Sequence, residues 1–140
     1  MKKTVLSTSI AFVIGLISAN ASFAADLNGA WTLSFPSESS AWTFVQATPQ
    51  SRDFTASSTV TVGPLTYAYA INPGITVGKY VVGVETLSVQ QQTGFPIGVL
   101  VANSDGETLS GVLFGLDASQ TPVSGTKVVV APSSGNRVRR

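Results

Sequence analysis

Neither histidine nor cysteine occurs among the 140 residues of the chain. Their absence removes the commonest general base, the commonest metal ligand and every Ser-His or Cys-His nucleophile pair. Chemistry is left to carboxylates, hydroxyls, lysines and aromatic rings. Asp53, Glu85, Asp105, Glu107 and Asp117 are the carboxylates from which a glycosidase-like pair would be drawn. Such pairs occur by chance in any domain with seven acids, so they carry no weight without geometry. Glu85 stands apart because it interrupts an apolar stretch from Val81 to Val89. Facing a cavity, it would anchor a cationic or hydroxyl-bearing ligand; facing water, it would be an ordinary edge charge.

Two short motifs fit conformational roles better than chemical ones. Asn103, Asp105 and Glu107 alternate around Gly106, like the start of a calcium loop. The later bidentate carboxylate is missing, and Asn, Asp and Gly are also what a hairpin turn selects. Ser124 and Lys127 have the Ser-x-x-Lys spacing of a serine acylase. That chemistry needs a helix start, whereas here the motif leads into a strand, which sends the two side chains to opposite faces. Aromatic residues are the better lead. Trp31, Trp42, Tyr67, Tyr69 and Tyr80 are spread over four strand-like segments and, with Glu85, form the candidate ligand-binding set. The plainer role for these rings is core, because a small cysteine-free domain needs large apolar anchors. No catalytic residue, metal or cofactor is expected.

The elements that would position these residues begin after an export signal. Lys2 and Lys3 are followed by an apolar run, Ile10 to Ile17, too short to span a bilayer. Ser22 and Ala24 then supply small residues at −3 and −1 for a cut before Ala25; Ala19 and Ala21 offer a second cut before Ser22. The pattern looks bacterial, and the absence of cysteine excludes a lipoprotein. The expected organisation is a signal-peptide helix over 1–24, a β-domain over 25–132 and a flexible basic tail over 133–140. The expected location is periplasmic or extracellular. Losing Lys2 and Lys3 reduces the eight basic residues to six against seven acids, a net charge of about −1. Three of the six, Arg137, Arg139 and Arg140, sit in the tail. Nothing here makes a nucleic-acid footprint.

Period-2 alternation dominates the mature region. Trp31, Leu33 and Phe35 share one face of Ala30 to Phe35; Trp42 and Phe44 share one face of Ala41 to Ala47. Further strands are expected over Phe54 to Val62, Leu65 to Ile71, Ile97 to Ala102, Glu107 to Leu116 and Lys127 to Ala131. Asn72-Pro73-Gly74 reads as a turn, Asn103 to Gly106 as a hairpin turn, Gln90 to Gly94 as a polar loop and Thr121 to Gly125 as a loop. Ile75 to Val89 reads as one bent strand with a bulge or as two short ones. Ile97 to Ala102 is a continuous apolar run, expected to be buried on both sides or to face a partner. The sum is seven to nine short strands: an all-β fold, a small antiparallel β-barrel or, as the alternative, a β-sandwich. A transmembrane barrel is disfavoured by the length of the chain and the lack of a terminal aromatic, and no other transmembrane segment is expected in the mature chain.

The stretch Asp26-Leu27-Asn28-Gly29-Ala30-Trp31-Thr32-Leu33 resembles the opening of calycin-type barrels, the lipocalin and avidin-like group. In these a Gly-x-Trp starts the first strand and its Trp packs across the barrel floor; Gly29 and Trp31 match. Leu109-Ser110-Gly111 is similar to the Leu-x-Gly repeats of small exported barrels. The second, arginine-bearing lipocalin motif is absent, and Lys127 is the only base in the last expected strand. The resemblance implies a barrel and a habit of binding small apolar or vitamin-like ligands, or of inhibiting a secreted protease. It carries over no ligand residue. The resulting expectation is an exported, non-catalytic binding protein for a small apolar or sugar-like ligand or for a protein. The alternative is a structural or adhesive surface or pilus-type subunit that self-assembles through β-strand addition.

Overall fold

A computed structural model describes residues 24–129; the expected signal-peptide helix and basic tail lie outside them. Eight strands form a closed antiparallel barrel in up-and-down order. They are β1 (Gly29–Phe35), β2 (Glu38–Val45), β3 (Asp53–Val62), β4 (Leu65–Val77), β5 (Tyr80–Val89), β6 (Phe95–Ser104), β7 (Thr108–Gly115) and β8 (Gln120–Lys127). β8 closes on β1 over Trp31↔Lys127 to Ser34↔Ser124. The fold is therefore the barrel and not the sandwich. Among the described residues there is no helix long and apolar enough to cross a membrane.

Alternation sets the interior. Trp31 and Leu33 of β1, Trp42 and Phe44 of β2, Phe54 and Ala56 of β3, Ile71 of β4, Val81 of β5, Leu100 and Ala102 of β6, Leu109 of β7 and Val123 of β8 make one buried cluster. The apolar centre is concentrated at one end, where Phe44 stacks on Phe54 with centroids 5.6 Å apart and Trp31 lies tilted against Phe44 at 5.6 Å.

That end is sealed by the segment Ala24–Asn28, which crosses the floor. Leu27 is fully buried. Its N–H donates to Gln46 Oε1 at 2.6 Å, and its carbonyl accepts from Trp31 Nε1 at 2.7 Å. Gln46 Nε2 donates to Ala25 O at 3.0 Å and to Ser51 O at 2.8 Å. Lys127 Nζ donates to Asp26 O at 2.9 Å and stands 5.6 Å from the Trp31 ring centroid. Gly106, at φ +92, brings the β6–β7 turn against the backbone of Asp26 where a Cβ would crowd it.

Several segments differ from the sequence expectation. Asn72-Pro73-Gly74 is not a turn between strands but a bulge inside β4, where the register with β5 jumps from Ile71↔Glu85 to Gly74↔Gly83. Bulges accept the same residues as turns, and a proline without an N–H is tolerated where the ladder is interrupted. The true turn is Gly78-Lys79, so Ile75 to Val89 divides between β4 and β5. Thr121 to Gly125 is not a loop but most of β8, and β8 ends at Lys127 rather than beginning there. Lys127 N donates to Glu107 O and Val128 N to Ala30 O, so the even-numbered residues of β8 aim their N–H at β1. The β1 pairing stops at Ser34↔Ser124, so Pro122 costs the ladder nothing. Ile97 to Ala102 is not buried on both sides. Leu100 and Ala102 face in, while Val99 and Val101 face out and continue an apolar row, Ile75–Val82–Val101–Val112–Pro122, across five strands.

Candidate cavity at the open end

The other end of the barrel is unplugged and opens into a cavity of about 620 Å³. Every strand contributes to its wall: Phe35 from β1, Glu38, Ser40 and Trp42 from β2, Val60 and Val62 from β3, Tyr67 and Tyr69 from β4, Glu85 from β5, Ile97 from β6, Leu113 from β7 and Thr121 from β8. A second lobe of about 430 Å³ shares Glu85, Ile97, Leu113 and Thr121 and adds Phe95, Leu116 and Asp117 at the rim. Glu85 thus stands where the two lobes meet.

Local backbone explains the space. The β2–β3 ladder covers only Thr43–Val45 against Thr55–Ser57; above it the two hairpins part. Ser58 Oγ bridges the seam by donating to Ala41 O at 2.6 Å. Around Glu85, the cross-strand row runs Ile71, Glu85, Gly98, Gly115. The two glycines put no side chain beside the carboxyl on that side, and the β5–β6 bulge that follows admits Ile97 to the wall.

Aromatic rings line the first lobe. Trp42 and Tyr69 face each other with centroids 6.5 Å apart, and Trp42 Nε1 donates to Ser40 Oγ at 2.9 Å. Glu85 is only 6% exposed, and burial pushes its carboxyl up to about 7. Tyr69 is also raised, first by burial and then by the negative charge of Glu85 and Glu38 and by Tyr67. At the rim, hydrogen bonding from Ser119 holds Asp117 below the usual carboxylate range. The charges that face the cavity are Glu38, Glu85 and Asp117; no lysine or arginine lines either lobe among the described residues.

Of the six candidates named from sequence, Trp42, Tyr67, Tyr69 and Glu85 converge on this cavity. Trp31 and Tyr80 do not. Trp31 is fully buried in the floor, and Tyr80 starts β5 at the closed end, half-buried beside Lys79. Trp31 faces the interior, but period-2 spacing does not give its height along the barrel; Tyr80 has the outward phase of Val82 and Val84, opposite to Glu85 on the same strand. Ser40 was missed although it shares the phase of Trp42. Ile97 had no signal, because a bulge changes the phase there.

The turn motif resolves as conformational. Asp105 Oδ1 accepts from Thr108 N at 2.7 Å and Glu107 N at 2.8 Å, which holds its carboxyl low. Ser124 faces out while Lys127 faces the floor, so no Ser-Lys pair exists. No cluster of three metal-ligating side chains occurs among the described residues. No family model matches the chain, and neither a curated protein nor a solved structure matches it.

Proposed function

We propose that this is an exported, non-catalytic binding protein whose open end takes a small ligand with an apolar body. The carrying observation is the cavity itself: one end of the barrel is packed and sealed, while the other keeps an aromatic-lined space of about 620 Å³. A volume of several hundred Å³ walled by apolar groups with a few polar ones is the usual form of a small-molecule site. The calycin-like Gly-x-Trp start agrees with that reading, as Trp31 lies on the floor. An apolar interior and outward Ser and Thr on β1 to β3 favour a barrel in water over one in a bilayer, where the pattern is reversed; the outward apolar row Ile75–Val82–Val101–Val112–Pro122 on β4 to β8 runs against it.

Native mass spectrometry of the protein recovered from the exporting cell tests this directly. The expected species is a monomer beginning at Ala25 that carries a small molecule or takes up an apolar one. In a titration, the indole N–H resonance of Trp42 should move while that of Trp31 stays. A chain that binds no such molecule, or a Trp31 shift with Trp42 silent, would sink the reading. A second reading, assembly by strand addition, draws on the parted β2–β3 seam, whose upper residues lack ladder partners across it. Stable oligomers that disappear when the seam is closed by an engineered cross-link would favour it.

A further inference from the structure

Five polar or charged side chains are buried in the barrel: Gln46, Ser58, Thr76, Glu85 and Ser104. Four have partners. Gln46 holds the floor segment, and Ser58 bridges the β2–β3 seam. Thr76 Oγ1 accepts from Ala25 N at 3.4 Å, and Ser104 Oγ donates to Thr108 O at 2.7 Å. The carboxyl of Glu85 has no hydrogen bond and no ion pair among the described residues, although it is the costliest of the five to bury. It lines both lobes. An acceptor left bare at that depth is a group with room for a partner from outside the barrel.

The surroundings fix the sign of that partner. All three basic side chains among the described residues, Arg52, Lys79 and Lys127, belong to the closed end. The titratable groups that line the lobes with Glu85 are Tyr67 and Tyr69 from β4, Glu38 from the start of β2 and, across the second lobe, Asp117 from the β7–β8 loop; β6, β7 and β8 present no charged side chain there, only groups such as Phe95, Ile97, Leu113 and Thr121. A carboxylate ligand would meet the like charge of Glu38, Glu85 and Asp117 and no basic side chain among the described residues. A protonated amine would meet acceptors at the rim, the faces of aromatic rings along the wall and a bare carboxylate at depth.

We propose that the cavity selects a protonated organic amine, its ammonium donating to the Glu85 carboxylate and its flat apolar body lying against Trp42 and Tyr69. The proposal rests on the ligand-binding reading above and narrows it to one charge class. Binding of the ammonium draws the proton off Glu85, so affinity falls as pH drops below about 7, by up to about tenfold per pH unit, while the ligand itself stays charged.

Three probes of one shape separate the outcomes: tryptamine, tryptophol and indolepropionate, titrated calorimetrically into the full mature chain and into Glu85→Gln. The substitution keeps the shape and removes a charge that the cavity holds without a partner, so the variant should retain the circular dichroism of the parent. At about pH 8 tryptamine should bind about tenfold or more tighter than tryptophol, with indolepropionate the weakest. In Glu85→Gln, and in the parent at about pH 5, the preference for the amine should vanish. Equal binding of amine and alcohol by the parent overturns this proposal and leaves the ligand-binding reading standing. A preference for the amine that survives in Glu85→Gln overturns it as well, because it moves the selectivity to Glu38 and Asp117. Failure of all three to bind, with the Trp42 resonance unmoved, overturns both.

Discussion

Trp31 and Trp42 face each other as Cα partners across β1 and β2, yet they belong to different ends of the barrel. Trp31 turns to the floor, its N–H taken by Leu27 O and its face covered by Lys127. Trp42 turns to the cavity, its N–H taken by Ser40 Oγ and its ring set toward Tyr69. Charge follows the same division. The closed end mixes Arg52, Lys79 and Lys127 with Asp26, Asp53, Asp105 and Glu107, whereas among the described residues the cavity and its rim hold acids alone. The lesson is one of satisfaction. Groups at the floor find partners within the chain, which makes that end a source of stability. At the mouth a buried carboxylate finds none among the described residues, and proteins tolerate such local cost where function needs it.

Truncating the two tryptophans is the largest test of this division. Trp31→Ala removes a fully buried ring from close packing and strands the Leu27 carbonyl, so it should cost about 3–5 kcal/mol. Trp42→Ala enlarges a space that already exists on one side of the ring, so about half of that is expected, with most of the loss falling on ligand affinity. Urea denaturation of both variants decides it. Equal losses would mean that the mouth is packed as the floor is, and the comparison would fail.

Much of the floor was legible in the sequence and less of the cavity. Ala30 to Phe35 alternates so regularly that the inward set Trp31, Leu33 and Phe35 could be read directly. The strand count and the all-β class followed from similar runs. What misled was punctuation. Pro73 and Pro122 were read as strand breakers, yet one sits in a bulge and the other aims its missing N–H past the end of β1. A single sequence does not show where a neighbouring strand stops, so neither exception was available. The cavity depends on just such relations: the parting of β2 from β3, the glycines beside Glu85 and the height of each ring along the barrel. Glu85 could be singled out as a charge in an apolar strand, but only the barrel shows that it faces inward and that no described residue meets it.

Gln46 gives the next test, because the floor depends on it as the mouth does not. Its side chain accepts from Leu27 N and donates to Ala25 O and Ser51 O. Gln46→Ala leaves three backbone groups without these partners, one of them the fully buried Leu27 N–H, at a cost of about 2–4 kcal/mol. Amide exchange at Leu27 should quicken by more than at any residue of β4 or β5. Ligand affinity should stay as it was, since Gln46 does not touch the cavity. A variant as stable as the parent would show that water replaces the amide, and the floor would lose its claim to be the self-satisfied end.

The smallest effect carries the opposite sign. An ordinary glutamate titrates near 4.5, and Glu85 in the folded barrel titrates at about 7. Between those values the folded state holds more protons than the unfolded one, so stability falls as pH rises through that window and stays lower above it. The offset amounts to about 3 kcal/mol at most, and water in the open mouth screens it to about 2 kcal/mol. Glu85→Gln carries no such penalty. The variant should match the parent near pH 4 and exceed its stability by about 2 kcal/mol near pH 8, measured by urea denaturation across the range. A parent curve as flat as that of the variant would mean that water solvates the Glu85 carboxylate as freely as a surface acid, ending the contrast between the two ends. A saturating amine should also flatten the parent curve, because it supplies from outside the partner that the barrel withholds.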